Sequence, residues 1–301
     1  MAVAFAYVLR TNGVFACSAS GYGPNVYLAY CNSTAYGDYD HGAFWFGLEP
    51  ETRQRAASAN VLFLGSSRMQ MGFSTRATRE WFDAIGRSFY LLGFTYTENA
   101  VFSGKLLPTL TPAASAYVIN ADGFFDDRVT PPTADLLDDD AASRHRRKRL
   151  WQYPHKALCG VVDALCGHDL SFFRKRDDGS WTFVGNDPSM EAGGIADAPA
   201  TSPELLRKRI ALAEAWLQTL PVQRRCVFFT AIPWAQTPQA EAAAIAEAVG
   251  VKLVVPRTQD LRTFDGSHLD GPSAERWSAD FFAAAGSDLR ACVEPPLSKV
   301  P

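Results

Sequence analysis

From residue 61 onward the chain alternates short apolar runs with stretches of helical spacing, and this rhythm constrains the fold most. Val61, Leu62, Phe63 and Leu64 are apolar at consecutive positions rather than at every second one. A strand of that kind needs cover on both faces, which a parallel sheet between two helical layers supplies. Further runs stand at 88–94 (SFYLLGF), 114–122 (ASAYVINAD), 225–233 (RCVFFTAIP) and 251–256 (VKLVVP). Between and after them, helical spacing marks 75–86, 97–107, 202–220, 237–250 and a last helix from Pro272 to about Ala291. Strands alternating with helices predict βαβ units in an α/β fold.

Two segments break the rhythm. Residues 1–56 are aromatic and Gly-rich (GYGPNVYLAY, YGDYDHGAFWFGLEP) and are expected to form an extension packing on a core of residues 57–301. Their aromatics Tyr36, Tyr39, Phe44, Trp45 and Phe46 suit that packing, or alternatively a sugar-binding face. Residues 123–200 carry charge runs, Pro and Gly and read as an insertion, in which DGSWTFVGND (178–187) predicts turns around an aromatic strand. The run DLLDDDAASRHRRKR (135–149) sets Asp140 four residues before Arg144, which predicts a solvated helix with internal ion pairs rather than a nucleic-acid patch.

Bulk properties exclude several classes. A net charge of -3 predicts no general attraction to nucleic acid or anionic membranes. No apolar run approaches the roughly 20 residues that span a bilayer. The opening AVAFAYVL reads either as the remnant of an anchoring or export segment or as a first strand or helix. None of the six cysteines forms a CxxC pair, which argues against zinc and thioredoxin chemistry. Cys17 and Cys31 are either a disulfide or two buried thiols. Cys159 and Cys166, seven apart on one continuous helix, would stand about 10 Å apart and could not bond. No phosphate loop or dinucleotide fingerprint occurs, and no metal or organic cofactor is expected.

In parallel sheets of this kind, reactive groups gather at the carboxyl ends of the strands. Ser66 and Ser67 follow the first core strand directly. A serine hydroxyl attacks well only beside a histidine base that a carboxylate orients. Of five histidines, His41 lies in the extension, His145 in the charge run, and His155 and His168 in the insertion. That leaves His268, between the last strand and the last helix, with Asp265 three residues ahead of it. Met69 stands two after Ser67, where the α/β-hydrolase elbow requires glycine.

A serine in a Gly-x-Ser turn after the first core strand, with Asp-x-x-His near the end, resembles the SGNH (GDSL-like) hydrolases over roughly residues 58–292. The first block reads Gly65-Ser66-Ser67-Arg68, with Ser66 where the family keeps aspartate; the last reads Asp265-Gly266-Ser267-His268-Leu269. The resemblance implies a three-layer α/β/α, flavodoxin-like parallel sheet and a Ser67–His268–Asp265 triad. It further implies an oxyanion hole from the backbone N–H groups of Ser67 and Gly93. Where the family's third block has Gly-x-Asn-Asp, the chain has Ile119-Asn120-Ala121-Asp122, so Ala121 falls on the asparagine position and Asn120 serves as a third donor only if the turn shifts by one. Gly185-Asn186-Asp187 lacks the one-residue gap and is set aside. Arg68 is expected to aid substrate or oxyanion electrostatically, or to make a supporting salt bridge; Asp122 is the other supporting candidate.

The expected activity is that of a serine esterase, deacetylase or O-acyltransferase on a small acyl ester or an acylated carbohydrate. The alternative is a catalytically degenerate carbohydrate-binding or assembly protein. A periplasmic or cell-envelope setting follows from the resemblance, with membrane tethering through a lost or truncated N-terminal segment; the cytoplasm is the alternative.

Overall fold

The computed structural model describes residues 11–96, 98–162, 166–185 and 190–294. The apolar opening of the chain and Asn186-Asp187 therefore lie outside the described residues. In chain order, β1 (Val26–Cys31) and β2 (Gly37–Asp38) precede α1 (Asp40–Trp45) and α2 (Pro50–Ser58). Next come β3 (Val61–Ser66), α3 (Ser67–Phe73), α4 (Arg76–Ala84), β4 (Phe89–Phe94), α5 (Ala100–Leu110) and β5 (Ala116–Asn120). Then follow α6 (Pro131–Asp135), α7 (Ala141–Cys159), β6 (Ser171–Lys175) and β7 (Trp181–Val184). The chain closes with α8 (Pro203–Leu217), β8 (Val227–Thr230), α9 (Gln239–Val249), β9 (Lys252–Leu253) and α10 (Gly271–Val293). No helix among the described residues is long and apolar enough to cross a membrane.

The chain divides into two compact units, residues 1–54 with 131–189 and residues 55–130 with 190–301. In the first, residues that read as irregular or inserted build a four-stranded antiparallel sheet together, in the order β2-β1-β6-β7. Strand β1 pairs with β6, more than a hundred residues away in the chain, so its local sequence carries little sign of it. At its centre lies a buried ion pair, Arg174 Nη2 to Asp40 Oδ2 at 2.6 Å. The Tyr27 hydroxyl donates to the same carboxylate, and the guanidinium lies against the rings of Phe44 and Trp181. Charges in that position persist only when paired and fully hydrogen-bonded.

Two disulfides brace this unit. Cys17–Cys31 is bridged, with Cα atoms 6.1 Å apart. Cys159–Cys166 is bridged as well, which corrects the expectation of a separation too long to bond. The expectation assumed one continuous helix; α7 ends at Cys159, the chain turns at Gly160, and the Cα atoms come within 5.8 Å. His145 is also corrected, from solvated to buried: its ring lies where a side chain at Gly42 would clash, while Arg144 beside it does make the expected ion pair with Asp140.

The second unit is an α/β structure with a five-stranded parallel sheet in the order β4-β3-β5-β8-β9. Numbered along the chain, that order is 2-1-3-4-5, compatible with a flavodoxin-like sheet. Helices cover both sides. Val61, Phe63, Leu91, Val118 and Phe228 enter one core with Phe73 and Phe82 of α3 and α4 and Trp277 and Phe281 of α10. On the other side Phe94 meets Phe102 of α5, and Phe125 bridges Phe229 of β8 and Trp216 of α8. Side chains alternate in direction along a strand, which explains why the central strands are apolar at every position. A third disulfide, Cys226–Cys292, ties the start of β8 to the end of α10.

Candidate active site

Strand β3 delivers two serines to the carboxyl end of the sheet, and the fold gives them different work. Ser66 caps α3: its backbone is extended and its hydroxyl accepts from the Arg68 N–H at 3.4 Å. That leaves the Ser67 hydroxyl free of capping duty. Its Oγ lies 2.8 Å from His268 Nε2. The turn that makes this possible favours glycine at 65, where φ is +154 and a Cβ would stand a tight 3.0 Å from that of Asn120 and 3.1 Å from that of Met69.

The histidine is held by its own loop. His268 Nδ1 lies 2.7 Å from Asp265 Oδ2, while Asp265 Oδ1 accepts the backbone N–H groups of Ser267 and His268 at 2.9 and 2.7 Å. One carboxylate thus closes the turn with one oxygen and orients the imidazole with the other. Burial pushes the Asp265 carboxyl upward, but the hydrogen bonds and charge of His268 and the two N–H groups outweigh it, and the net direction is below the ordinary carboxylate value. Phe264 stacks beside the imidazole, with ring centroids 5.8 Å apart. Asp270 then caps α10 through the Ser273 N–H and ends the loop.

Asn120 and Asp122 sit where β5 ends, next to β3. Asn120 is buried; its Oδ1 accepts the Ile232 N–H at 3.2 Å, which leaves Nδ2 without a hydrogen-bond partner. Asp122 binds Arg68 Nε at 2.5 Å, and Arg68 Nη1 donates to Ser267 Oγ at 3.0 Å. The guanidinium also lies 4.1 Å from the Trp234 ring centroid. Arg68 thereby clamps the end of β5 to the loop carrying Asp265 and His268, in nearly full burial.

Gly93 is placed differently from Ser67, Asp265 and His268. It lies within β4, opposite Gly65 in the strand register, and its N–H donates to Gln70 Oε1 at 3.0 Å. A Cβ at Gly93 would stand 2.7 Å from the Ser66 carbonyl, so the glycine allows β4 to approach the turn that carries Ser66 and Ser67. Its N–H serves Gln70, one turn of α3 beyond Ser67.

Gln70, Trp234 and Ser267 escaped the sequence reading. Trp234 follows β8 closely, so the strand-end rule that found Ser67 also reaches it. Ser267 lay inside the recognised Asp-x-x-His block without an assigned task. Nothing in the sequence announces Gln70 or one further feature: residues 193–198 run beside the loops, with Gly193 bonded both ways to Thr263 and Ala196 to Trp234 and Thr237. No family profile matches the chain, and no curated protein or solved structure is measurably similar to it.

Proposed function

We propose that this protein is a serine ester hydrolase or acyltransferase of the SGNH (GDSL-like) type. The observation that carries the reading is the unbroken chain from Ser67 Oγ to His268 at 2.8 Å and from His268 to Asp265 at 2.7 Å. The 2-1-3-4-5 strand order, with the serine after the first core strand and the Asp-x-x-His loop before the last helix, supports the same assignment.

In the first step Ser67 Oγ bonds to the ester carbonyl carbon, its proton passes to His268 Nε2, and the carbonyl electron pair moves onto oxygen. The tetrahedral intermediate collapses, the C–O bond to the leaving alcohol breaks, and that alcohol takes the proton from His268. Water, or the hydroxyl of an acceptor, then attacks the acyl-enzyme by the same steps in reverse. Asp265, held ionised below its ordinary range, stabilises the imidazolium that forms each time. The Ser67 N–H and the unpartnered Asn120 Nδ2 are the oxyanion donors of this reading, because the Gly93 N–H is occupied by Gln70. The substrate of this reading is a small acyl ester or an acylated carbohydrate. Three disulfides support an oxidising, envelope or extracellular setting.

A degenerate, non-catalytic binding protein is the second reading, favoured by Ala121 at the expected donor position and by the occupied Gly93 N–H. A fluorophosphonate probe and a panel of short-chain aryl esters separate the two. The hydrolase reading expects labelling and turnover that vanish in Ser67→Ala; wild-type labelling no faster than the variant's rules it out.

A further inference from the structure

Within the first unit, Leu150, Tyr153, Leu158, Val161 and Val162 are five of the eleven large apolar residues left exposed among the described residues. They are not scattered. Leu150 and Tyr153 are 63% and 62% exposed and share one face of α7 with Arg146 and Ala157, at helical spacing. Val161 and Val162 follow in the turn after the helix, Val161 being 83% exposed. Cys159, which ends α7, is bridged to Cys166, and both cysteines are buried in the unit's own core. Apolar side chains exposed together in this way call for a surface to cover them.

The charge around the stripe says which surface. Arg146, Arg147 and Lys156 are exposed beside it, Lys156 lying over the Tyr22 ring, and the acidic residues nearest in sequence, Asp140 and Asp163, fall outside the stretch from Ala141 to Val162. The whole chain is net negative, but charges farther away than about 10 Å are screened, so a membrane would meet the local basic patch rather than the net charge. A folded partner needs a shaped pocket for each apolar anchor; a headgroup layer needs only an apolar stripe of modest depth, basic flanks, and a tyrosine at the interface.

We propose that the exposed face of α7, with Val161 and Val162 just after it, docks on an anionic lipid surface. Valines at the tip enter the acyl boundary, Tyr153 sits at the headgroups, and Arg146, Arg147 and Lys156 bind the lipid phosphates. This surface stands independently of the esterase assignment, since none of its residues belongs to the Ser67 site.

Flotation of the full chain with phosphatidylcholine vesicles, with and without phosphatidylglycerol, tests it. Binding is expected only to the phosphatidylglycerol vesicles and weakens as salt is raised. The pair Leu150→Asp with Val161→Asp, and separately Arg146→Glu with Arg147→Glu, should each lower the partition coefficient about tenfold or more, as expected when an apolar anchor or a charge pair is lost. Unchanged far-ultraviolet circular dichroism shows that these exposed substitutions leave the fold intact. Equal binding to both vesicle types, no flotation at low salt, or flotation unchanged in the variants overturns the proposal. So does a wild-type dimer in sedimentation that Val161→Asp dissociates, because the stripe would then be covered by a second copy.

Discussion

The molecule contains two Asp-x-x-His turns of the same local design. At Asp265–His268 the carboxylate takes the histidine N–H at 2.7 Å and the ring Nδ1 at 2.7 Å; at Asp38–His41 the same two contacts measure 3.1 and 2.8 Å. Yet His41 is 1% exposed and opens a short helix beside an antiparallel sheet, whereas His268 is 17% exposed with its other nitrogen on a serine. The acid–base pair is therefore a product of four consecutive residues. In the proposed hydrolase, what distinguishes the Asp265–His268 pair is its location at the carboxyl ends of a parallel sheet, where Ser67 Oγ meets it.

Exchanging the two histidines breaks the comparison most sharply. His268→Ala should slow fluorophosphonate labelling by about 10⁴ or more, the scale of losing a triad member. His41→Ala should leave labelling of the folded protein unchanged and lower its unfolding free energy by about 1–3 kcal/mol, as for other buried hydrogen-bonded groups. A labelling loss in His41→Ala comparable to that in His268→Ala would void the distinction.

Asn120 sharpens it next. If the unpartnered Nδ2 meets the developing oxyanion, Asn120→Ala costs about 10²–10³ in kcat, with far less change in KM. A rate within twofold of wild type would remove Asn120 from the machinery.

The clamp through Arg68 follows. Arg68→Met leaves Asp122 buried and unpaired and should destabilise the second unit by about 3 kcal/mol, measured by urea denaturation. Adding Asp122→Asn should recover much of that loss, and a cycle without coupling would contradict the clamp.

Acid sensitivity comes last, and it belongs to the first unit. Burial drives His145 down to about 4 from an ordinary 6.5. Its folded pKa is depressed, so the unfolded chain binds the proton first: stability is complete above pH 6.5 and falls as pH drops toward 4. The loss is about 3 kcal/mol at most and should shrink in His145→Gln, the remainder resting on His155 of the same helix, whose burial also holds it below its ordinary value; hydrogen exchange across α7 follows it. Equal acid sensitivity in His145→Gln would assign the effect to other groups.

The parallel unit was the legible part. Its strands appear in the sequence within a few residues of their observed bounds, because a strand buried on both faces must be apolar at every position. The exception is the run at 251–256, whose strand is only Lys252 and Leu253, with one further backbone bond from the Val254 N–H to Phe229. The antiparallel unit was far less legible. Strand β1 and the Arg174–Asp40 centre depend on partners far apart in the chain, and polar residues in a core leave no periodic signal. The Cys159–Cys166 bridge escaped for a related reason: it depends on where α7 stops, and helix ends are the hardest bounds to read.

At the site, the sequence by itself determined the chemistry of the parts: a glycine turn ending in two serines, and an aspartate three residues before a histidine that closes its own loop. Those are local facts, set by short-range hydrogen bonds and by backbone angles only glycine accepts easily. Tertiary structure decided the rest. It made Ser66 the helix cap and left Ser67 to His268, assigned the Gly93 N–H to Gln70, left Asn120 Nδ2 unpartnered, and laid Arg68 between Asp122 and Ser267. The physical reason is range: a hydrogen bond acts over about 3 Å, and only the packed sheet brings residues two hundred positions apart within that distance.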